Sequence, residues 1–315
     1  LENKSKNFKK PDFLLWLLAS NLFKILKINS FTKILYFKIS QMNLVLTGST
    51  SGIGWEKVKA LYPYFDQIIL PVRNVPKAKS LLRLLPDQKK IHLIELDLSD
   101  LNSVEKGARC IAENFPTLDV LINNAGGMFP HAKKTRDGLD QCFVVNHLGP
   151  LLLTKTILPN ILAATGKIIF VSSEAHRFAR IDPNDIGLSK NSSSFRAYSN
   201  VKLYNILTSR YLVNQYQAQG LSSYSLHPGI VRTAFGSDSS PLLKALIRTT
   251  QLFCISPQKG AETGIFLTKT QSSDLKNGGY YVRNKAVICS KTALDQKLGE
   301  NLWKFSEEIL FQVLS

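Results

Sequence analysis

The chain has 315 residues, 44% of them hydrophobic, with ordinary glycine and proline content. That is enough to bury one large core, and it excludes fibrous and disordered classes. The net charge of +17 points to anionic partners such as a phosphorylated cofactor or an anionic membrane surface. Nucleic acid is excluded as a partner. The chain has no zinc-finger spacing, no RNP-like aromatic pattern and no basic tract with interleaved aromatics.

Residues 1–41 differ from the rest. They carry eight lysines against Glu2 and Asp12, a balance of +6. The apolar run Phe13–Ala19 is shorter than the ~20 residues a spanning helix needs. With Trp16 and interspersed Lys24 and Lys27, the segment fits a membrane-surface anchor. It fits equally a leader ahead of Met42, although no small-residue cleavage site stands out. Residues 42–315 read as one dinucleotide-binding domain that includes the catalytic site and a C-terminal helix.

The first strand is predicted at Met42–Leu46. It enters Thr47-Gly48-Ser49-Thr50-Ser51-Gly52-Ile53-Gly54, followed by a helix from Trp55 to about Leu61. Strand, glycine-rich turn and helix together form the context of a dinucleotide site. Gly48 permits the tight turn, Gly52 lets backbone approach a pyrophosphate, and Gly54 lets the helix pack on the strand. The second strand, 67–70, closes at Pro71. Proline removes a ladder donor, so an early end to this strand and a displaced Arg73 are expected. An acidic residue about ~20 positions after the glycine turn would hold an NAD ribose. Arg73 stands there instead, with Lys77 and Lys79 nearby, and its guanidinium suits the 2′-phosphate of NADP.

The third strand, 91–96, ends at Asp97, which could accept from an adenine amine or cap the next helix. His92 reads as structural. The fourth strand, 118–122, runs into Asn123-Asn124-Ala125-Gly126-Gly127, a cofactor floor at a strand's carboxyl end. A helix from about Leu139 to Leu162 contains Asn146, costly in apolar surroundings unless paired, and Gly149-Pro150, which should bend it. The fifth strand, 167–171, ends in Ser172-Ser173. Residues 177–195 read as a loop over the site, and a sixth strand, 222–226, leads to His227-Pro228-Gly229-Ile230-Val231-Arg232-Thr233. Residues 241–254 are apolar and basic, suited to covering a hydrophobic ligand or lying on a membrane. Further elements are a helix at 259–269, a short strand at 279–282, and a stripe of Leu294, Leu298, Leu302, Phe305 and Ile309 that should pack on the body. The cysteines Cys110, Cys142, Cys254 and Cys289 lack metal or redox spacing and read as core filler.

Tyr198 and Lys202 lie four residues apart, on one face of a helix. A free phenol titrates near ~10, and a fixed cation beside it lowers that value, so such a tyrosine can exchange a proton with a substrate oxygen.

Taken together, TGSTSGIG at 47–54, DLS at 97–99, NNAG at 123–126, Asn146, VSS at 171–173, YSNVK at 198–202 and HPGIVRT at 227–233 resemble the short-chain dehydrogenase/reductase family over about residues 42–290. The long Ser-to-Tyr insert, TRDGLD at 135–140, NHLG at 146–149, the run 259–263 and Gly278-Gly279-Tyr280-Tyr281 resemble its retinol dehydrogenase branch. The resemblance implies a single doubly wound α/β sheet of Rossmann type with helices on both faces. It implies hydride exchange between NADP(H) and a lipophilic carbonyl or alcohol such as a retinoid, and an intracellular, membrane-associated enzyme, with homo-oligomers open.

By the same resemblance, Tyr198 is the general acid/base. Lys202 tunes it and binds the nicotinamide ribose, Ser173 bonds the substrate oxygen, and Asn146 holds a water linking Lys202 to solvent. Gly48, Ser51, Gly52, Ile53 and Gly54 cradle the pyrophosphate. Asn124, Ala125 and Gly126 flank the ribose and adenine side, with Asp97 near the adenine. Pro228, Gly229, Val231 and Thr233 contact the nicotinamide end. Three residues depart from the pattern: Pro71, Gly127 and Trp55. A rival reading, an NADP-binding scaffold or regulatory protein on the same fold, is opposed by the intact Ser-Tyr-Lys set. A second rival is a membrane-surface interaction protein acting through residues 1–41.

Overall fold

A computed structural model of the chain describes residues 42–130, 133–188, 193–230 and 255–315. The expectations for residues 1–41, for 241–254 and for Val231, Thr233 and Cys254 lie outside the described residues. What is described falls within one compact unit, Met42–Ser315.

Eight strands form one sheet in the order β3-β2-β1-β4-β5-β6-β7-β8. They are β1 Asn43–Leu46, β2 Gln67–Val72, β3 Ile91–Glu95, β4 Val120–Asn123, β5 Lys167–Val171, β6 Ser222–His227, β7 Tyr280–Val282 and β8 Lys285–Val287. All neighbouring strands pair in parallel except β7 and β8. The helices are α1 Gly52–Leu61, α2 Val75–Leu82, α3 Leu101–Asn114, α4 Gln141–Ala163, α5 Ser194–Tyr216, α6 Pro257–Lys269 and α7 Gln296–Leu314.

The strands are apolar on both faces because both faces are covered. Leu121 points into a core made with α3, α4, α5 and α7, while its neighbours Val120 and Ile122 point into a second core made with α1, α2 and α6. This is the doubly wound arrangement. Its order reverses between β1 and β4, so the loops after those two strands open a crevice at their carboxyl ends. The pairing of Leu46 with Ile122 sets the two loops side by side.

Several boundaries differ from expectation for physical reasons. Pro71 does not end β2, which continues to Val72 with Pro71 paired to Ile94. Ile68 and Val72 direct their backbone groups toward β3, so Pro71, out of phase with them, faces the other edge. On that edge the β1 pairing stops at Val45–Ile69, and the missing donor costs no ladder bond. The hairpin β7–β8 is an addition. Its turn residues Arg283 and Asn284 have φ of 49° and 64°, the geometry of a tight two-residue turn without glycine.

Within the expected stripe, Leu298, Leu302, Phe305 and Ile309 pack inward, but Leu294 sits in a preceding turn and is exposed. Helix α4 is long and apolar enough to cross a membrane by composition. It is 78% buried against the body, as a core helix would be. Leu121 is fully buried, and Leu121→Ala is expected to cost about 2–5 kcal/mol. A urea midpoint lowered with an unchanged m-value would verify this.

Candidate active site

The glycine turn is held by side chains of the facing loop. The Thr47 hydroxyl accepts the backbone N–H groups of Asn124 and Ala125, both at 3.0 Å. The Asn124 amide donates back to the carbonyls of Thr47 at 2.9 Å and Gly48 at 3.3 Å. A Cβ at Gly54 would lie 1.9 Å from the Gly48 oxygen, so only glycine lets α1 start this close to the strand. Gly48 has φ +67°, and a Cβ there would lie 2.8 Å from the Ala125 Cα. Gly52 and the exposed Ser51 open α1. Ser51 makes no side-chain cap bond and the first turn holds no acid, which leaves the first-turn N–H groups of Gly52, Ile53 and Gly54 to an anion. These features fit a pyrophosphate.

At the end of β2, the Arg73 side chain is 75% exposed, and its Nε lies 4.0 Å from Asp97 Oδ2, a marginal ion pair. Asp97 does not cap α3. Its carboxylate accepts from the backbone and hydroxyl of Ser99, at 2.9 and 2.8 Å, while Asp100 takes the capping position. On the other side, Pro228 and Gly229 follow β6. Gly229 has φ +91°, and a Cβ there would collide with Ile255 at 2.5 Å.

The chemistry-bearing residues converge where β5 and α5 meet. Ser173 stands two residues past the end of β5, and its hydroxyl bonds the Tyr198 phenol. The hydroxyl also accepts Ala175 N–H at 3.2 Å. Lys202, one turn along α5, is buried and donates to the Val171 carbonyl at 3.1 Å, with its Nζ 5.3 Å from the Tyr198 ring centre. Asn146 sits in a widened π turn, Val144–Leu148, inside α4. Pro150 cannot return the usual hydrogen bond to the Asn146 carbonyl, and a wider turn is how a helix absorbs that gap.

The Asn146 side chain is fully employed. It accepts Gly127 N–H at 3.0 Å and donates to the carbonyls of Gly127 at 2.9 Å and Cys142 at 3.0 Å. A Cβ on Gly126 would stand 2.5 Å from Asn146 Oδ1 and 3.2 Å from Lys202 Nζ, so the three meet at one point.

The electrostatics depart from the simple tyrosine–lysine picture. Burial lifts the Tyr198 phenol above its ordinary range, and the Ser173 hydrogen bond opposes that lift. Burial also lowers Lys202 to about 8. Over the range in which the raised phenol titrates, an amine lowered to about 8 is already neutral and lends it no field, so desolvation outweighs the cation here.

Sequence reasoning missed Lys57. It is fully buried below the glycine turn and donates to Asn124 Oδ1 at 2.9 Å. It packs against Gly264 of α6, where a Cβ would lie 2.5 Å from its Cε. A helix-face lysine ordinarily reaches solvent, and only the long-range approach of Gly264 reveals that this one does not. Missed as well were Glu174, His176 and Tyr280. Tyr280 donates to Glu174 at 2.9 Å beside Ser173, and the His176 ring packs on Tyr280 at 4.9 Å. The spacing from Ser173 was the available signal, and it does not reveal the partners on β7.

The sequence profile of the short chain dehydrogenase family matches residues 42–242, more than half of the chain. The chain belongs to the short-chain dehydrogenase family of oxidoreductases, which act on alcohol and carbonyl groups with nicotinamide cofactors. Within that family it resembles the retinol dehydrogenases. It is 33% identical to human retinol dehydrogenase 12 over 271 residues, 85% of each chain, and 30% identical to human retinol dehydrogenase 11 over 302 residues, 95% and 94% of the two. Among solved structures, an uncharacterized protein of Mycobacterium paratuberculosis superposes with a TM-score of 0.70 at 29% identity, covering 86% of this chain and 93% of that one. The NADPH-bound carbonyl reductase from chicken fatty liver shares the fold, with a TM-score of 0.57 at 21% identity over 76% and 95% of the two chains.

Burial lowers Lys57 to about 7, against the ordinary 10.5 of an unfolded lysine. Between these values the unfolded chain binds more protons than the folded one, so stability rises with pH from about 7 to about 10. Lys57→Met is expected to flatten that rise by up to about 1.4 kcal/mol per pH unit. Chemical denaturation at stepped pH would check this, and an unchanged slope would contradict the buried amine.

Proposed function

We propose that this chain is an NADP(H)-dependent oxidoreductase that interconverts lipophilic aldehydes or ketones, retinoids among them, with their alcohols. The observation that carries the reading is the convergence of Ser173, Tyr198 and Lys202 at the crevice into which the glycine turn also opens. Bound nicotinamide supplies or accepts the hydride at the carbonyl carbon. In reduction, the Ser173 hydroxyl holds the carbonyl oxygen, and Tyr198 passes its phenolic proton to that oxygen as the alcohol forms. In oxidation, Tyr198 takes the proton back. Lys202 would hold the nicotinamide ribose, and Asn146 fixes the 126–127 backbone beside it.

Gly48, Ser51, Gly52, Ile53 and Gly54 would receive the pyrophosphate, with Asn124, Ala125 and Gly126 as the facing wall. Asp97 would lie toward the adenine. Pro228 and Gly229, with Val231 and Thr233 beyond them, would meet the nicotinamide end. Arg73 supports the NADP preference: a solvent-facing guanidinium stands where an NAD site would place an acid.

The substrate class and a place at a membrane surface rest on the relatives named retinol dehydrogenase and on the basic, apolar residues 1–41. Purified protein would be titrated with NADPH and NADH by fluorescence, then offered a panel of lipophilic aldehydes including retinaldehyde. Tyr198→Phe is expected to lower kcat by about 10²–10⁴ while NADPH still binds. NADPH binding without turnover of any carbonyl would instead favour a nucleotide-binding scaffold. Arg73→Ala is expected to weaken NADPH binding about 10- to 100-fold with little change for NADH, matching the loss of a charge-assisted hydrogen bond. Equal losses for both nucleotides would remove the case for NADP.

A further inference from the structure

His176 is buried three residues past Ser173, and both of its ring nitrogens are engaged. The backbone N–H of Ser290 points at Nε2, 3.1 Å away. A backbone N–H can only donate, so Nε2 is the bare nitrogen and the proton sits on Nδ1. Nδ1 lies 2.7 Å from the Ser173 carbonyl, which can only accept. The two contacts therefore specify one neutral tautomer. The His176 backbone N–H bonds the same carbonyl at 3.1 Å. A second tie joins the same two segments, from Arg177 Nη2 to the Ile288 carbonyl at 2.7 Å.

We propose that His176 is a positioning residue. As the Nδ1–H tautomer fixed by Ser290, it anchors the Ser173 backbone to the segment after β8 and so aims the Ser173 hydroxyl at Tyr198. The inference rests on the function proposed above. A second proton on the ring would turn Nε2 from acceptor to donor and set it against the Ser290 N–H. The bond would break, and Ser173 would lose its anchor.

Burial already disfavours that proton, with the Arg177 guanidinium acting in the same direction. The Ser173 carbonyl and the Glu174 carboxylate favour it. The other groups around the ring are the Tyr280 phenol, which is occupied by Glu174, the His227 ring, which accepts Glu174 N–H at 3.3 Å, and the buried Cys289 thiol. Turnover should therefore fall at acid pH as His176 protonates.

Ser290→Pro tests this without touching the histidine. Ser290 has φ −64°, which proline adopts unstrained, and its hydroxyl has no partner to lose. The substitution deletes the N–H that favours the neutral ring. With the bond that protonation would break already absent, kcat with NADPH and retinaldehyde is expected to fall by about threefold or more at pH 8 with an unchanged NADPH Kd, and its acid limb to disappear. His176→Asn, which can still donate to the Ser173 carbonyl, should abolish that limb and keep more activity at pH 8 than His176→Phe. The latter is expected to lose about tenfold or more in kcat with an unchanged NADPH Kd. Nitrogen-15 NMR of the wild type should show Nδ1 protonated and Nε2 bare at neutral pH. Wild-type kcat with an unchanged acid limb in Ser290→Pro, or the opposite tautomer, overturns the inference and leaves the proposed function standing. Failure of the wild type to turn over any carbonyl overturns both.

Discussion

The site depends on the pairing of β1 with β4. These strands were brought together by the reversal of strand order rather than by adjacency in sequence, and 76 residues separate Leu46 from Ile122. Once they are in register, one hydroxyl does what two loops could not do alone. Thr47 accepts two consecutive backbone N–H groups from the facing loop, and Asn124 returns two bonds to the turn. Backbone groups that would face water in separate loops are satisfied across the crevice. The glycine turn and the Asn-Asn loop are thereby fixed as one surface, and Gly48 and Gly54 keep that surface thin enough for α1 to begin at once.

Helix α5 plays the matching role on the other side. It is buried along most of its length, so its polar residues need partners, and they find them on other segments. Asn200 grips both the N–H and the carbonyl of Arg180, at 2.9 and 3.0 Å. Tyr204 reaches the Ile186 carbonyl at 3.0 Å, and Lys202 and Asn205 share the Val171 carbonyl. The helix that carries the phenol and the amine is thus tied to the strand that carries the serine and to the segment between them. Such a scaffold holds geometry well, but its dryness works against charge. That is why Tyr198 is shifted upward although a lysine lies one turn away.

Much of this was legible in the sequence because it is local. A glycine turn between a short apolar run and a helix, an acid replaced by Arg73, and a tyrosine and lysine one turn apart are all read from neighbouring residues. What escaped was set by distant ones. Pro71 reads as a strand breaker until one knows that β1 has already stopped beside it. Lys57 reads as a solvated helix residue until Gly264, two hundred residues later, closes over it. Asp97 reads as a possible cap until the bonds of Ser99 and of the first turn of α3 give that place to Asp100. The hairpin at Arg283-Asn284 carries no glycine to announce it.

The π turn of α4 has a consequence for how this helix can change length. A π turn holds one residue more than an α turn, so deleting a residue from Val144–Leu148 would restore α-helical spacing, although Pro150 would still lack a donor for the preceding turn. It would also rotate everything before the deletion by about 100° relative to everything after it. Asn146 could then no longer face both Gly127 and Cys142. An insertion would shift the same phase in the other direction. The extra residue therefore acts as a register lock. Substitutions along α4 can be judged one at a time by size and polarity, but a change in residue count cannot be absorbed, because the irregularity is what brings two otherwise ordinary helical segments into the phase the crevice requires.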